Sequence, residues 1–191
     1  MKNVIFIGGI NGSGKTTIAK GLSKKMRISY FDSSKMLMRE LKLKEDDYYN
    51  LRRLSEKQKK KALLEVFQKT SLANKGKIIM TGHFVKVLNG KITRYKGSWF
   101  KFCSDIIHIL SKPELINQRI VDDENSGSRK RIIFRKSQNK DLNFISNALN
   151  KSFVSFQEIT EKYKVNAFSV NNDGSLESII KDICEKINTR I

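Results

Sequence analysis

Cysteine and proline are almost missing from this chain, and negative charge is in short supply. The two cysteines, Cys103 and Cys184, lie far apart without metal-ligand spacing. A disulfide framework and a cysteine-built metal site are therefore excluded, and both thiols are expected to be reduced packing residues in a cytoplasmic setting. A single proline, Pro113, leaves no proline-rich linker. No apolar run approaches the roughly 20 residues of a membrane-spanning helix. Met1-Lys2-Asn3 leads straight into an apolar segment, so no signal peptide is expected. Repeats and low-complexity tracts are absent. What remains is a chain of 191 residues, 39% hydrophobic and 30% charged, enough for one domain with a real core.

The deficit of acids is large: 38 Lys and Arg stand against 19 Asp and Glu, a net charge of +19. Such an excess suits polyanionic partners, from nucleotides to RNA or DNA. A lysine-rich solvated surface accounts for the same number, so nucleic acid stays open as a partner. No feature of the sequence points to an oligomeric state.

The most specific signal lies near the N-terminus. Gly9-Ile10-Asn11-Gly12-Ser13-Gly14-Lys15-Thr16 completes the pattern G-x-x-x-x-G-K-[ST], directly after the apolar run Val4-Ile5-Phe6-Ile7. This is a phosphate-binding loop between a buried strand and a helix. Glycines let the backbone close into a cradle whose N–H groups, with the start of the next helix, face an anion. The expected ATP-binding set is Gly9, Asn11, Gly12, Ser13, Gly14, Lys15, Thr16 and Thr17. Lys15 is expected to reach the β- and γ-phosphates, and the Thr16 hydroxyl to bind Mg²⁺.

Strands and helices alternate along the rest. Strands are expected at 3–8, 28–31, 78–81, 106–110 and 167–170, with a hairpin at Phe84–Leu88 and Ile92–Tyr95 around Asn89-Gly90. Helices are expected from Lys15 to Met26, behind a Ser33 or Ser34 cap, behind the Ser55…Gln58 capping box, from Pro113 to about Val121, along Leu142 to Tyr163, and after Ser175. The polar stretch Asp46–Arg53 reads as a loop. The alternation implies one α/β domain over residues 1–191: a five-stranded parallel sheet with helices on both faces and its ligand at the C-terminal strand ends.

Asp122–Lys140 is poor in apolar residues. Its second half holds Arg129, Lys130, Arg131, Arg135, Lys136 and Lys140 without an acid, and Arg119 precedes it. Phosphoryl transfer needs positioned positive charge more than covalent chemistry. An arginine-rich segment with a Gly/Ser hinge reads as a lid over ATP.

On the loop Gly9–Thr17, Leu51-Arg52-Arg53-Leu54, His83 and Ile116–Arg131, the whole chain resembles the adenylate-kinase type of nucleoside-monophosphate kinase, most of all the archaeal form. The resemblance implies the P-loop NTPase three-layer α/β/α fold, an acceptor-binding region at about 32–60 and a lid at about 122–140. It also implies ATP and Mg²⁺, with AMP as acceptor. By it, Lys15 and Thr16 bind ATP·Mg, Arg52 and His83 serve the acceptor, and Arg119, Arg129 and Arg131 clamp the exchanging phosphates.

Two positions depart from that pattern. Where the family has an aspartate at the end of the third strand, this chain has Thr81. At the end of the second strand stands Asp32, the position of a base in kinases that phosphorylate a hydroxyl. Asp32 is equally a favoured helix N-cap. It opens the alternatives of a kinase for a small metabolite or a polynucleotide 5′-hydroxyl, beside a nucleic-acid-associated NTPase. His108, inside the fourth strand, reads as core.

Overall fold

A computed structural model describes residues 2–45, 47–88, 90–95, 97–126 and 142–188. The strand β1 (Val4–Gly8) is buried along its whole length, as a run apolar on both faces requires. It pairs in parallel with β3 (Ile78–Gly82) on one side and β6 (Cys103–Leu110) on the other. The strands β2 (Tyr30–Asp32) and β7 (Asn166–Asn171) close the edges, giving the order β2-β3-β1-β6-β7. The hairpin β4 (Val85–Leu88) and β5 (Lys91–Arg94) forms a separate two-stranded sheet. Its turn contains Gly90 at φ 72°, a left-handed conformation that glycine adopts without strain.

Alternation along β1 divides the core in two. Ile5 and Ile7 pack with Ile18 and Leu22 of α1 (Lys15–Met26) and Ile183 of α7 (Leu176–Asn188). Val4 and Phe6 point the other way, to Val66 and Phe67 of α4 (Glu56–Ala73) and Phe156 of α6 (Leu142–Tyr163). A period of two places successive side chains on opposite faces, so one strand serves both helical layers. The result is the three-layer α/β/α arrangement with a five-stranded parallel sheet. Phe6 sits edge-on to Phe84 and Phe100, with ring centroids 5.5 and 5.1 Å away. A third cluster joins Ile10 to the hairpin, to α5 (Pro113–Asn125) and to α6 through Val85, Ile116, Ile120 and Ile145.

Three expectations are corrected. Residues 48–53 are not a loop but a short helix, α3 (Tyr48–Arg53), because Asp47 caps it: its Oδ1 accepts from the Asn50 N–H at 3.1 Å. The cap of α2 (Ser33–Glu40) is not Ser33 or Ser34 but Asp32, the cap the sequence offered as the alternative to its role as a base. Its Oδ1 accepts from the N–H of Ser34 at 2.9 Å and of Lys35 at 3.2 Å. The segment expected as a lid is helical at its start, since α5, expected to end at about Val121, continues to Asn125. Residues 127–141, which hold the remainder of that segment, lie outside the described residues. The Ser55–Gln58 capping box forms as expected.

Candidate functional site

The loop between β1 and α1 closes tightly. Gly12 and Gly14 take φ of 78° and 84°, where a side chain would be strained. A Cβ on Gly9 would meet the Ile109 carbonyl at 2.8 Å, and one on Gly14 would meet Asn172 Nδ2 at 2.1 Å. Lys15 is buried beside the loop, and its Nζ donates to the Ile10 carbonyl at 3.0 Å. The helix α1 carries neither a side-chain cap nor an acid in its first turn. Its leading N–H groups are thereby left for an anion. A cradle that no Cβ fits, a buried lysine and an uncapped helix start suit the phosphates of ATP.

Two residues fasten this loop from outside. Asn172, just past β7, donates from Nδ2 to the Ser13 carbonyl at 2.8 Å. Arg119, on α5, donates from Nη2 to the Asn172 carbonyl at 3.0 Å, and from Nη1 to Ser111 Oγ at 3.2 Å and the Gly12 carbonyl at 3.5 Å. The guanidinium thus ties the rim of the loop to the ends of β6 and β7. Asn172 was missed in the sequence. Its only signal was the polar cluster Asn171-Asn172-Asp173-Gly174 after the last strand.

Beside the loop, at the ends of β2 and β3, hydroxyls gather. Tyr30 Oη lies 3.2 Å from Thr81 Oγ1 and within hydrogen-bonding reach of the Thr16 side chain. Burial pushes the phenol above its usual range, and the Asp32 carboxylate adds to the effect. It therefore stays protonated, able to donate as well as accept. Asp32 pairs with Thr81 across the two strands. With its Oδ1 engaged in the cap, Asp32 Oδ2 has no hydrogen-bond partner among the described residues. Thr16 supplies a hard oxygen of the kind Mg²⁺ prefers. Among the described residues, no group of three or more His, Cys, Asp or Glu could hold a metal.

Next to the loop opens a cavity of about 210 Å³. Ile10 and Asn11 of the loop, Ser34 of α2 and His83 after β3 border it, and His83 Nδ1 lies 2.9 Å from the Gly9 carbonyl. Apolar and aromatic side chains from α3, the hairpin, the 3₁₀ turn at Ser98–Phe102, α5 and α6 form its walls. Glu56 of α4 lines it too. Lys59 Nζ lies 2.6 Å from Glu56 Oε1, and Lys86 of β4 donates to the same oxygen. Burial works against ionisation of Glu56, but these hydrogen bonds outweigh it and hold the carboxyl below the ordinary glutamate range. Tyr95, behind the hairpin, also lines the cavity. Its phenol is pushed up to about 12 by burial, with a contribution from Glu56.

The fold therefore brings Gly9, Asn11, Gly12, Ser13, Gly14, Lys15, Thr16 and Thr17 together in one loop and helix start, with His83 against the Gly9 carbonyl; Asp32 ends β2 beside Thr81 and is not among the residues that line the cavity. Arg119 lies against the loop. The Arg52 side chain, Arg129 and Arg131 lie outside the described residues, although the backbone at Arg52 is part of α3. His108 is core, as expected. Its Nε2 is 2.9 Å from Ser152 Oγ, its ring packs against Phe84, Phe153 and Phe156, and burial lowers its pKa to about 4. Both cysteines are free. No helix of the described residues is long and apolar enough to cross a membrane.

Residues 5–143 match the family model described as an AAA domain. No curated protein sequence matches the chain significantly. Solved structures do. The shikimate kinase from Acinetobacter baumannii in complex with shikimate is 16% identical, with a TM-score of 0.68 over 98% of this chain and 94% of that one. The shikimate kinase from Aquifex aeolicus is 17% identical, with a TM-score of 0.61 over 98% and 97%. A gluconokinase from Sinorhizobium meliloti is 10% identical, with a TM-score of 0.59 over 99% and 93%. At these identities the likeness is one of fold. It supports a P-loop kinase architecture without singling out the adenylate-kinase type.

Proposed function

The chain belongs to the AAA domain family, and on that premise we propose that it is an ATP-dependent kinase that moves the γ-phosphoryl of ATP to the hydroxyl of a small molecule. The observation that carries the reading is the cavity of about 210 Å³ that shares Ile10 and Asn11 with the phosphate loop. Two substrates can meet there. The volume lies below the roughly 300–1,000 Å³ of sites for drug-sized ligands, so a small metabolite suits it better than a polymer end. That disfavours the polynucleotide 5′-hydroxyl reading, which shares Asp32 as base, and the NTPase reading, which rests on Thr81 and the net charge of +19.

In this reading the loop N–H groups and Lys15 hold the triphosphate, and Thr16 holds Mg²⁺, which when bound neutralises charge on the β- and γ-phosphate oxygens. The acceptor oxygen attacks the γ-phosphorus. The bond to the β–γ bridging oxygen breaks, ADP leaves with that electron pair, and the acceptor's proton passes to Asp32 Oδ2. Oδ1 keeps α2 capped, so the base is held in place by the backbone it caps. Among the described residues no arginine lines the cavity, and Lys59 and Lys86 are engaged with Glu56. An acceptor phosphate would want such cations free.

The second reading keeps a nucleoside monophosphate, with AMP as acceptor. The aromatic lining, including Tyr48, Tyr95 and Trp99, favours it because a base can stack there. It assigns the acceptor phosphate to Arg52 and the exchanging phosphates to Arg119, Arg129 and Arg131. The solved kinases supply a third comparison, since shikimate is bound in one of them.

ADP release from ATP·Mg should be measured with a panel of alcohols, shikimate and gluconate among them, and with each nucleoside monophosphate. Phosphorus NMR of the product then separates a monoester from a diphosphate. Acceptor-stimulated release that disappears in K15A is expected. No stimulation by any member of the panel would overturn the kinase reading.

A further inference from the structure

We propose that the cavity selects an acceptor whose body is a flat, neutral heteroaromatic ring bearing an amino group next to a ring nitrogen, and that Glu56 and Tyr95 read that edge. This inference rests on the kinase reading and names its substrate class.

Three observations support it. First, the walls are aromatic as well as aliphatic: Tyr48, Tyr95, Trp99 and Phe144 all border the space. Flat rings bury area against such walls and stack with them, whereas a polyol would leave its hydroxyls without partners there. Second, the carboxylate of Glu56 is used on one side only. Lys59 and Lys86 both engage Oε1, and Oε2 has no partner among the described residues. Third, the Tyr95 phenol is largely buried and has no hydrogen-bond partner among the described residues, yet Glu56 is near enough to raise its pKa.

Both residues line the one cavity, which thus offers an acceptor and a donor. Glu56 Oε2 can take an N–H, and Tyr95 can give its O–H to a ring nitrogen. A nitrogen flanked by an amino-bearing carbon presents the matching pair. Charge narrows the class. A cationic ligand would meet the Lys59 and Lys86 ammoniums, with Lys60 also at the rim. A carboxylate would compete with Glu56 for the same lysines. A neutral edge disturbs neither. The analogue with an oxo group and a ring N–H inverts the pattern, setting a carbonyl against the carboxylate and an N–H against a phenol that would donate. The Glu56 side chain is 49% exposed, so the discrimination is set at about tenfold, the lower end for a hydrogen bond to a charged group.

The test is calorimetric and needs no turnover. Adenosine and inosine, then cytidine and uridine, are titrated into the wild-type chain, E56Q and Y95F, each first checked for cooperative thermal unfolding. The amino member of each pair is expected to bind about tenfold tighter to the wild type. E56Q, whose amide can donate to a carbonyl, should shrink or reverse that ratio, and Y95F should weaken both amino members. Equal binding within each pair, an unchanged ratio in E56Q, or no binding of any of the four overturns the inference. The kinase reading fails separately. Selective binding without ADP release in any acceptor assay would sink the kinase and keep the pocket, whereas phosphorylation of a sugar acid without ring binding would do the reverse.

Discussion

Tyr30 Oη and Thr81 Oγ1 meet 3.2 Å apart at the C-terminal ends of neighbouring strands, with the Thr16 side chain in reach of the same phenol. Hydroxyls thus stand where the adenylate-kinase pattern has a carboxylate. They supply oxygen without charge, so whatever they contribute to Mg²⁺ comes from orienting water and Thr16 rather than from attraction. Tyr30→Phe deletes one such oxygen and leaves the ring. Binding of ATP in the presence of Mg²⁺ is expected to weaken about five- to tenfold, the worth of one hydrogen bond. Binding in EDTA should not change. Identical titrations with and without Mg²⁺ in the variant and the wild type would remove the cluster from any role at the metal.

Asp32 caps α2, and substitution can separate that cap from the base role proposed for it. Asn keeps a side-chain oxygen for the cap but takes no proton. D32N is expected to unfold at the wild-type temperature while kcat falls a hundredfold or more. D32A should lose the same activity and about 1 kcal/mol of stability with the cap. Full activity in D32N would reduce Asp32 to a structural residue.

Arg119 holds the phosphate loop by its rim, through the carbonyls of Gly12 and Asn172. R119A should loosen the cradle and raise KM for ATP about tenfold, with a smaller effect on kcat. R119K should recover only part, because an ammonium cannot span the three acceptors as the guanidinium fork does. A KM unaffected by R119A would show that the loop keeps its shape without this tie.

His108 should make stability depend on pH. Its folded pKa of about 4 lies below the ordinary histidine value, so the unfolded chain binds the extra proton first. Its contribution is present above about pH 6.5 and drains as pH falls towards 4, by up to about 3 kcal/mol. Urea midpoints measured across that window should fall in the wild type. They should flatten in H108F, after allowance for the carboxylates common to both. An equal slope in H108F would contradict the assignment.

Much of the architecture was legible in the chain. The all-apolar Val4–Ile7 run, the glycine-spaced loop and the Ser55–Gln58 box each act through neighbours in sequence, and each formed where expected. Local signals misled where two residues competed for one task. Ser33 and Ser34 are good caps, but Asp32 stands one position earlier with a charged oxygen that reaches two N–H groups. The α3 helix was hidden because six polar-rich residues carry no periodicity of their own. It forms on a cap from Asp47 and lies beside the cavity, where Leu51 finds cover.

The cavity beside the loop could not have been read this way. Glu56, Lys86 and Tyr95 are separated by tens of residues and no motif links them. They converge only because the hairpin folds over the start of α4. The clasp of Arg119 and Asn172 on the loop has the same origin, since the strand order sets β6 and β7 side by side. Sequence alone determined what acts over a few residues: the strand, the glycine cradle and the Ser55–Gln58 capping box. Tertiary structure decided what touches the cradle and what faces it, because crossovers in a parallel sheet bring distant segments to the same strand ends, and no spacing along the chain records that meeting.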